Sequence, residues 1–150
     1  MRIIFSRKGF DSGSGGGPSP IIGGRPVTLP IPAGTASKTT YGELGLGDHV
    51  ARSSRGKLGA DNLCHHDPMF TDEGECLFGQ CGAAQTHLER QAVREGDVFL
   101  FFGLFRNWEQ GGEPHHRIFA YLEVAEMIPL ANGASPVSYT HLTLPTIYSV

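Results

Sequence analysis

The sequence predicts an α+β fold in which a sheet dominates and one main helix lies around residues 79–92. Residues 98–105 (VFLFFGLF) form a continuous apolar run that is typical of a strand buried on both faces. Residues 116–124 alternate apolar and polar side chains, as a half-buried strand does. Between Phe78 and Val93 small and apolar residues recur on one helical face. A chain of 150 residues suits one domain with a single core.

The elements before the main helix are predicted to be short. Residues 2–5 (RIIF) form an apolar strand, and the prolines within residues 26–32 restrict that segment to a sheet edge. Residues 40–43 have the spacing of a capping box, but the glycines that follow weaken the helix it would begin. Asp48 is placed to cap a second short helix that ends near Ser54. Residues 56–75 contain few apolar positions and are predicted as a long loop.

The two later strands are separated by a polar loop over residues 107–113. We therefore expect them to pair antiparallel at the centre of the sheet. The alternation places Ile118, Ala120, Leu122 and Val124 on one side of the second strand.

The last fifteen residues are interpreted as foreign to the domain. Residues 136–146 (PVSYTHLTLPT) match the in-frame translation of a transposase-type sequencing adapter, and such scars are set aside in fold reasoning. We therefore assign the domain to residues 1–135 and expect it to be truncated at its C-terminus. A genuine strand with a proline at a sheet edge is the alternative.

Composition points to a cytoplasmic protein. No apolar run is long enough for a signal peptide or a membrane span, so we expect no membrane partner. Three cysteines without a secretory context predict reduced thiols. The net charge of −3 divides unevenly, at +5 for residues 1–60 and −8 for residues 61–150. This asymmetry indicates a face for anions, unless the two halves neutralise each other in the fold.

The first candidate site is the loop that follows the opening strand, residues 6–20 (SRKGFDSGSGGGPSP). Arg7 can bind a phosphate bidentately, and Lys8 supplies a point charge. Asp11 can accept hydrogen bonds from a ribose or a base, and Ser12 adds a hydroxyl. The loop is not a P-loop, because Lys8 precedes the glycines, and no helix follows as a dinucleotide motif requires. A flexible surface hairpin is the alternative interpretation.

The second candidate site combines thiols and imidazoles. Its weak metal alternative is a zinc ion held by Cys64, His65, Cys76 and Cys81. The spacing is a loose match to structural zinc sites, and Cys81 falls on the apolar face of the predicted helix, so we assign no metal.

His66 and Asp67 are candidates for an acid–base or base-reading pair. The alternative is that Asp67 forms an Asx-type turn before Pro68.

Two amides belong to the predicted main helix. Gln85 falls within its apolar stripe, where an unpaired amide would be costly, and Gln80 stands at the start of the helix. A glutamine that faces a pocket can read the edge of a base, so both are candidate nucleotide-binding residues. A hydrogen bond from Gln85 inside the core is the alternative.

Trp108, the single tryptophan, follows the apolar strand in a polar loop. Aromatic side chains beside cations can stack nucleobases. The alternative is a tryptophan that covers the edge of the core.

Several stretches between residue 2 and about residue 124 carry a family resemblance. They are residues 6–12, 18–21, 29–32, 66–68, 78–88, 96–103 and 116–119. In these stretches the chain resembles the third of the nucleotide-modification-associated domain families of phages and bacteria. The resemblance implies a role in the synthesis or handling of modified bases, without an assigned reaction. The cysteines lie outside the family pattern, which weakens the zinc alternative.

A second likeness is to PUA-like β-barrels, a class that includes readers of modified bases. There too a Gly-Asp pair, here Gly96-Asp97, opens an apolar strand, and a later strand pairs back onto it. This likeness implies that the sheet could close into a barrel.

Together these features predict a protein that binds a nucleotide or a modified base in nucleic acid, as a reader or an accessory of base modification. The enzymatic alternative is a nucleotide transferase or hydrolase that uses His66 or Asp67. A structural interaction domain is the third interpretation. The residues identify neither a cofactor nor an oligomeric state.

Overall fold

The computed structural model describes residues 1–34, 37–70, 76–78, 92–128 and 139–141. Its described helix is α1, Gly47–Ser53. The described strands are, in chain order, β1 Ile3–Arg7, β2 Ser19–Ile22, β3 Arg25–Pro26, β4 Met69–Phe70, β5 Cys76–Leu77, β6 Val98–Asn107, β7 His115–Glu123, β8 Glu126–Ile128 and β9 Tyr139–His141.

The chain divides into two compact units. Unit 1 contains the described residues of Met1–Ser6, Asp67–Leu100 and Ala120–Ile147, and unit 2 contains those of Arg7–His66 and Phe101–Phe119. The predicted main helix around residues 79–92 lies outside the described residues, apart from Ala92. No helix in the described part of the chain is long and apolar enough to cross a membrane.

A mixed sheet dominates the fold, as predicted. Its strand order is β1-β6-β2-β3, and β7 pairs with β6. β2 runs parallel to β6, with Ser19 opposite Phe105, and returns antiparallel as β3. Two further pairs, β4 with β5 and β8 with β9, are antiparallel. The α+β class is therefore confirmed. The described strands form an open sheet, and the PUA-like barrel stays a prediction.

β6 is the central strand, and one of its faces is more deeply buried than the other. Phe99, Phe101, Gly103 and Phe105 are buried, whereas the residues that alternate with them are partly exposed. The predicted burial on both faces is therefore complete on one face only, because an apolar run does not reveal how far each of its faces is covered. The buried rings pack on other aromatic side chains, as Phe99 does on Phe78 in unit 1 at a centroid distance of 5.1 Å.

β7 pairs with β6 as predicted, but its buried face differs from the prediction at one end. Ile118 is 44% exposed, while the ring of Phe119 packs against Phe105 at 5.8 Å and Phe101 at 6.5 Å. Covering the larger aromatic ring removes more apolar surface from water than covering isoleucine would. Further along, Leu122 and Val124 are buried, as the alternation predicted.

The core of unit 2 gathers residues from its irregular segments. Phe10, Leu29, Tyr41, Val50 and Cys64 are fully buried and pack together. The Tyr41 hydroxyl donates a hydrogen bond of 2.7 Å to the Pro30 carbonyl. Burial, and then the neighbouring Cys64, raise the pKa of Tyr41 well above its ordinary value, so this hydroxyl remains a donor.

The start of α1 differs from the prediction. The Thr40–Glu43 capping box does form, since the Thr40 N–H donates to the Glu43 carboxylate at 2.7 Å and the Glu43 N–H donates back to Oγ1 at 3.2 Å. It closes a turn, however, and not an α-helix. α1 begins after Leu46 without a side-chain cap, and Asp48 lies in its first turn. Gly45, at φ +68°, reverses the chain between the two and separates box from helix.

In unit 1 the buried carboxylate of Asp97 holds the start of the chain. It accepts hydrogen bonds of 2.9 Å from both the backbone N–H and the guanidinium of Arg2, and one of 3.1 Å from the Arg94 N–H. The Arg2 guanidinium also donates to the Ala92 carbonyl. Burial alone would raise the pKa of Asp97, but these donors and the charge of Arg2 outweigh it and lower the pKa.

Candidate nucleotide-binding surface

The predicted cations stand where β1 ends, on a backbone fixed to β6. The Lys8 N–H donates to the Phe102 carbonyl at 2.8 Å. A Cβ at Gly103 would lie 2.7 Å from the Lys8 carbonyl oxygen, closer than such atoms approach. Only glycine at this position of β6 lets the Lys8 backbone come so near. Sequence reasoning missed this contact, although a lone glycine among large apolar residues is its signal.

Phe10 anchors the next part of the loop in the core of unit 2. Its side chain is fully buried and meets Tyr41 edge to face, with the ring centroids 6.0 Å apart. Its N–H donates to the Leu29 carbonyl at 3.0 Å. Gly15 passes over the ring at φ +92°, and a Cβ there would lie 2.4 Å from the Phe10 ring atoms. The glycine in the loop is therefore required by packing as well as by conformation.

The side chain of Asp11 accepts hydrogen bonds from the backbone of its own loop. Its Oδ1 accepts hydrogen bonds of 2.7 Å from the N–H groups of Gly13 and Ser14. The backbone adds two more, from Gly16 N–H to the Asp11 carbonyl and from Asp11 N–H to the Ser14 carbonyl, at 2.9 and 2.8 Å. This is an Asx-type turn, and its bonds disfavour the alternative of a flexible hairpin.

The closed turn changes how the loop could hold an anion. The amides of Gly13, Ser14 and Gly16 already have acceptors within the loop, so they do not form an open phosphate cradle. Anion binding is left to the side chains of Arg7 and Lys8. The Arg7 guanidinium lies 3.0 Å from Asp11 Oδ2, and its side chain is 48% exposed. Asp11 therefore orients Arg7, whose guanidinium has more donors than this single contact uses.

The glycine loop also packs on α1. A Cβ at Gly17 would lie 2.5 Å from the Ser53 carbonyl oxygen, and the Ser53 hydroxyl donates to the Pro18 carbonyl at 2.7 Å. Loop and helix are thereby held together within unit 2. Ser12 is exposed at the tip of the turn.

Trp108 contacts α1 through two side chains of the helix, His49 and Arg52. The Arg52 guanidinium sits over its indole at 4.4 Å from the ring centroid, and the His49 ring meets it edge on at 5.8 Å. His49 and Arg52 are three residues apart on the helix and so share a face. Trp108 and His49 are half-buried, and Arg52 is exposed. The spacing within α1 was readable from the sequence, but its contact with Trp108 was not.

Charge separates between the two units. Among the described residues, unit 2 has nine lysines and arginines against six acids, a formal charge of +3. The described residues of unit 1 have two arginines against five acids, a formal charge of −3. Arg7, Lys8 and Arg52 all belong to the positive unit, which favours an anionic partner there.

The remaining predicted site residues are the His66–Asp67 pair, the ligands of the zinc alternative and the two glutamines of the predicted main helix. His66 and Asp67 are half-buried and His65 is exposed. Cys64 belongs to the apolar core of unit 2, where burial, and then the charge of Glu43, raise the pKa of its thiol. A protonated thiol is a poor zinc ligand. Cys76 is buried in β5. The predicted positions Gln80, Cys81 and Gln85 lie outside the described residues, and within the described ones no group of His, Cys, Asp or Glu could hold a metal.

Comparison with protein families gives a match over almost the whole chain. The family model described as nucleotide modification associated domain 3 matches residues 2–147. No curated protein and no solved structure matches the chain significantly.

Proposed function

The chain belongs to the nucleotide modification associated domain 3 family, and on that premise we propose that it binds a nucleotide or a modified base in nucleic acid. In this proposal it acts as a reader or an accessory of base modification. Arg7 and Lys8 contact phosphate, and Asp11 orients Arg7.

One observation carries the proposal, the ordered presentation of two adjacent cations. Lys8 is fixed through its backbone to β6, Phe10 is anchored in the core, and the turn at Asp11 is closed by its own hydrogen bonds. An arginine held ready in this way loses less conformational entropy when it binds a phosphate than a mobile one does. The positive charge of unit 2 adds attraction at longer range.

The first experiment asks whether nucleotide ligands protect the protein from melting. The ligands are the four deoxynucleoside monophosphates, a mixed single-stranded oligonucleotide and its duplex, each with and without modified bases. A ligand present at about 100 times its Kd adds roughly 2.7 kcal/mol of stability, which for this length corresponds to roughly 5–10 °C in Tm. We expect protection by at least one of them.

Variants then assign the site. The double variant R7A/K8A should lose most of the protection, whereas K38A/K57A removes the same charge from two exposed positions of unit 2 and should keep it. Undiminished protection in R7A/K8A would refute this site, and no protection by any ligand would refute the function. If the protein converts a nucleotide to a product and His66→Ala loses this activity, the enzymatic alternative would replace the binding proposal.

A further inference from the structure

We propose that Trp108, with Arg52 and His49, stacks one unpaired nucleobase of a single strand and that Arg52 contacts the adjoining phosphate. This inference rests on the proposed function, since it concerns the same class of ligand. It assigns the base contact to residues outside the loop of Arg7 and Lys8.

The backbone that carries the indole is held in place before any ligand arrives. The backbone N–H of Trp108 donates to the Ile21 carbonyl at 3.4 Å, which continues the pairing of β2 with β6. Asn107 stands directly before Trp108, and its Oδ1 accepts hydrogen bonds from the backbone N–H groups of Glu109 and Gln110 at 2.9 and 2.8 Å. The Glu109 carboxylate accepts another, of 3.0 Å, from the Gly23 N–H of the β2–β3 turn. The turn at residues 107–110 is therefore fixed by hydrogen bonds to β2, to the β2–β3 turn and within itself.

The surroundings of the indole are those of a surface contact. Trp108 is half-buried, and the group that covers its ring is an exposed guanidinium. Phe10 and Tyr41, two fully buried aromatic residues of unit 2, pack against each other and against other apolar residues instead. A tryptophan whose partners are a histidine and an arginine on one helix face resembles the aromatic and cationic surfaces on which single strands stack.

The strengths of the two contacts favour a nucleobase over the Arg52 guanidinium on the Trp108 ring. An exposed cation–π contact corresponds to roughly a 2- to 5-fold change in an equilibrium constant. Stacking of one base on an aromatic side chain corresponds to roughly 5- to 150-fold. A base can therefore displace Arg52 from the ring, and the released guanidinium can pair with a phosphate of the same strand. Bases within a duplex are stacked on each other and do not offer this face.

The fluorescence of Trp108 can report binding directly, because the chain has one tryptophan. The probes are the single-stranded octamer of thymidylate, a duplex of equal length, and inorganic tripolyphosphate as an anion without bases. We expect the octamer to quench the emission of Trp108 and to bind more tightly than the duplex. Trp108→Ala should weaken octamer binding by roughly 5- to 150-fold and leave tripolyphosphate binding unchanged. Trp108→Phe keeps an aromatic face and should retain most of the affinity.

Arg52→Ala should lower the slope of log K for octamer binding against log salt concentration by about 0.7, the value for one phosphate contact. Lys57→Ala, just beyond α1, should leave that slope unchanged. Octamer binding that is unaffected in both Trp108 variants, or a loss shared equally by tripolyphosphate, would overturn the stacking proposal. If R7A/K8A loses octamer binding while both Trp108 variants bind like the parent, the loop site stands and the stacking site falls. If the octamer does not bind while another nucleotide ligand protects the protein from melting, the stacking site falls and the proposed function stands.

Discussion

Two buried titratable side chains, Asp97 and Cys64, show how the surroundings of a residue determine its role. Asp97 is surrounded by donors from Arg2 and Arg94, so its carboxylate stays charged although it is buried. Cys64 has the opposite environment, since it packs among Phe10, Leu29 and other apolar residues and its pKa is raised. The first is a structural anion, and the second behaves as a small apolar residue.

The role of Asp97 predicts a pH dependence of stability. Because its pKa is lower in the folded protein than in the unfolded chain, Asp97 stabilises the fold above its ordinary pKa of 3.8. This contribution is lost as the pH falls through the lower, folded-state pKa. We expect Asp97→Asn to be less stable than the parent at pH 7, with the gap narrowing below about pH 4. Urea unfolding across this range measures it, and a gap that stays constant down to pH 2.5 would contradict the assignment.

The environment of Cys64 predicts low reactivity. In the folded protein at pH 8 we expect iodoacetamide to modify this thiol far more slowly than in the urea-unfolded chain, because the thiol is buried and its thiolate is disfavoured. Peptide mass mapping distinguishes it from the other two cysteines. Equal rates in the folded and unfolded states would show that the thiol is accessible, and would revive the zinc alternative.

At the scale of elements, close backbone contacts position the candidate site. β6 approaches Lys8 at Gly103, and α1 approaches the glycine loop where Ser53 meets Gly17. Neither contact involves a side chain of the cations themselves. The site therefore depends on the packing of the elements around it, and small changes far from the ligand should affect binding.

Gly103→Ala tests this dependence. The added methyl group would meet the Lys8 carbonyl oxygen and the Phe105 ring, so we expect a loss of roughly 1–3 kcal/mol in stability and weaker ligand binding. Gly34→Ala is the matched control, because a Cβ there meets no atom within 4 Å. Thermal melts and ligand titration of both variants measure the effect. Equal behaviour of the two variants would show that the approach at Gly103 is not needed.

The elements also show what periodicity can predict. The continuous run at residues 98–105 and the alternation at 116–124 correctly located β6 and β7, since both patterns are local. The exposure of Ile118 in place of Phe119 was not predictable, because it depends on which rings β6 presents to β7. The parallel pairing of β2 with β6 joins residues more than eighty positions apart, and no local pattern encodes it.

At the scale of the whole molecule, the uneven distribution of charge along the sequence becomes a division between two units. The basic residues of the first sixty positions fall mainly in unit 2, which the sequence alone could not establish. Arg7, Lys8 and Asp11 were predicted together from one loop, and the structure holds Arg7 and Asp11 in contact. The cluster of Trp108 with α1 was not predicted, since its members come from distant parts of the chain.

The central claim, that Arg7 and Lys8 bind phosphate, is tested most directly by the salt dependence of single-strand binding. Dissociation constants between 50 and 200 mM salt give the slope of log K against log salt concentration, at about 0.7 per phosphate contact for single strands. The account predicts that R7A/K8A has a slope shallower by about 1.4 and a weaker affinity, while K38A/K57A keeps the parent slope. Equal slopes for the parent and both double variants would contradict it.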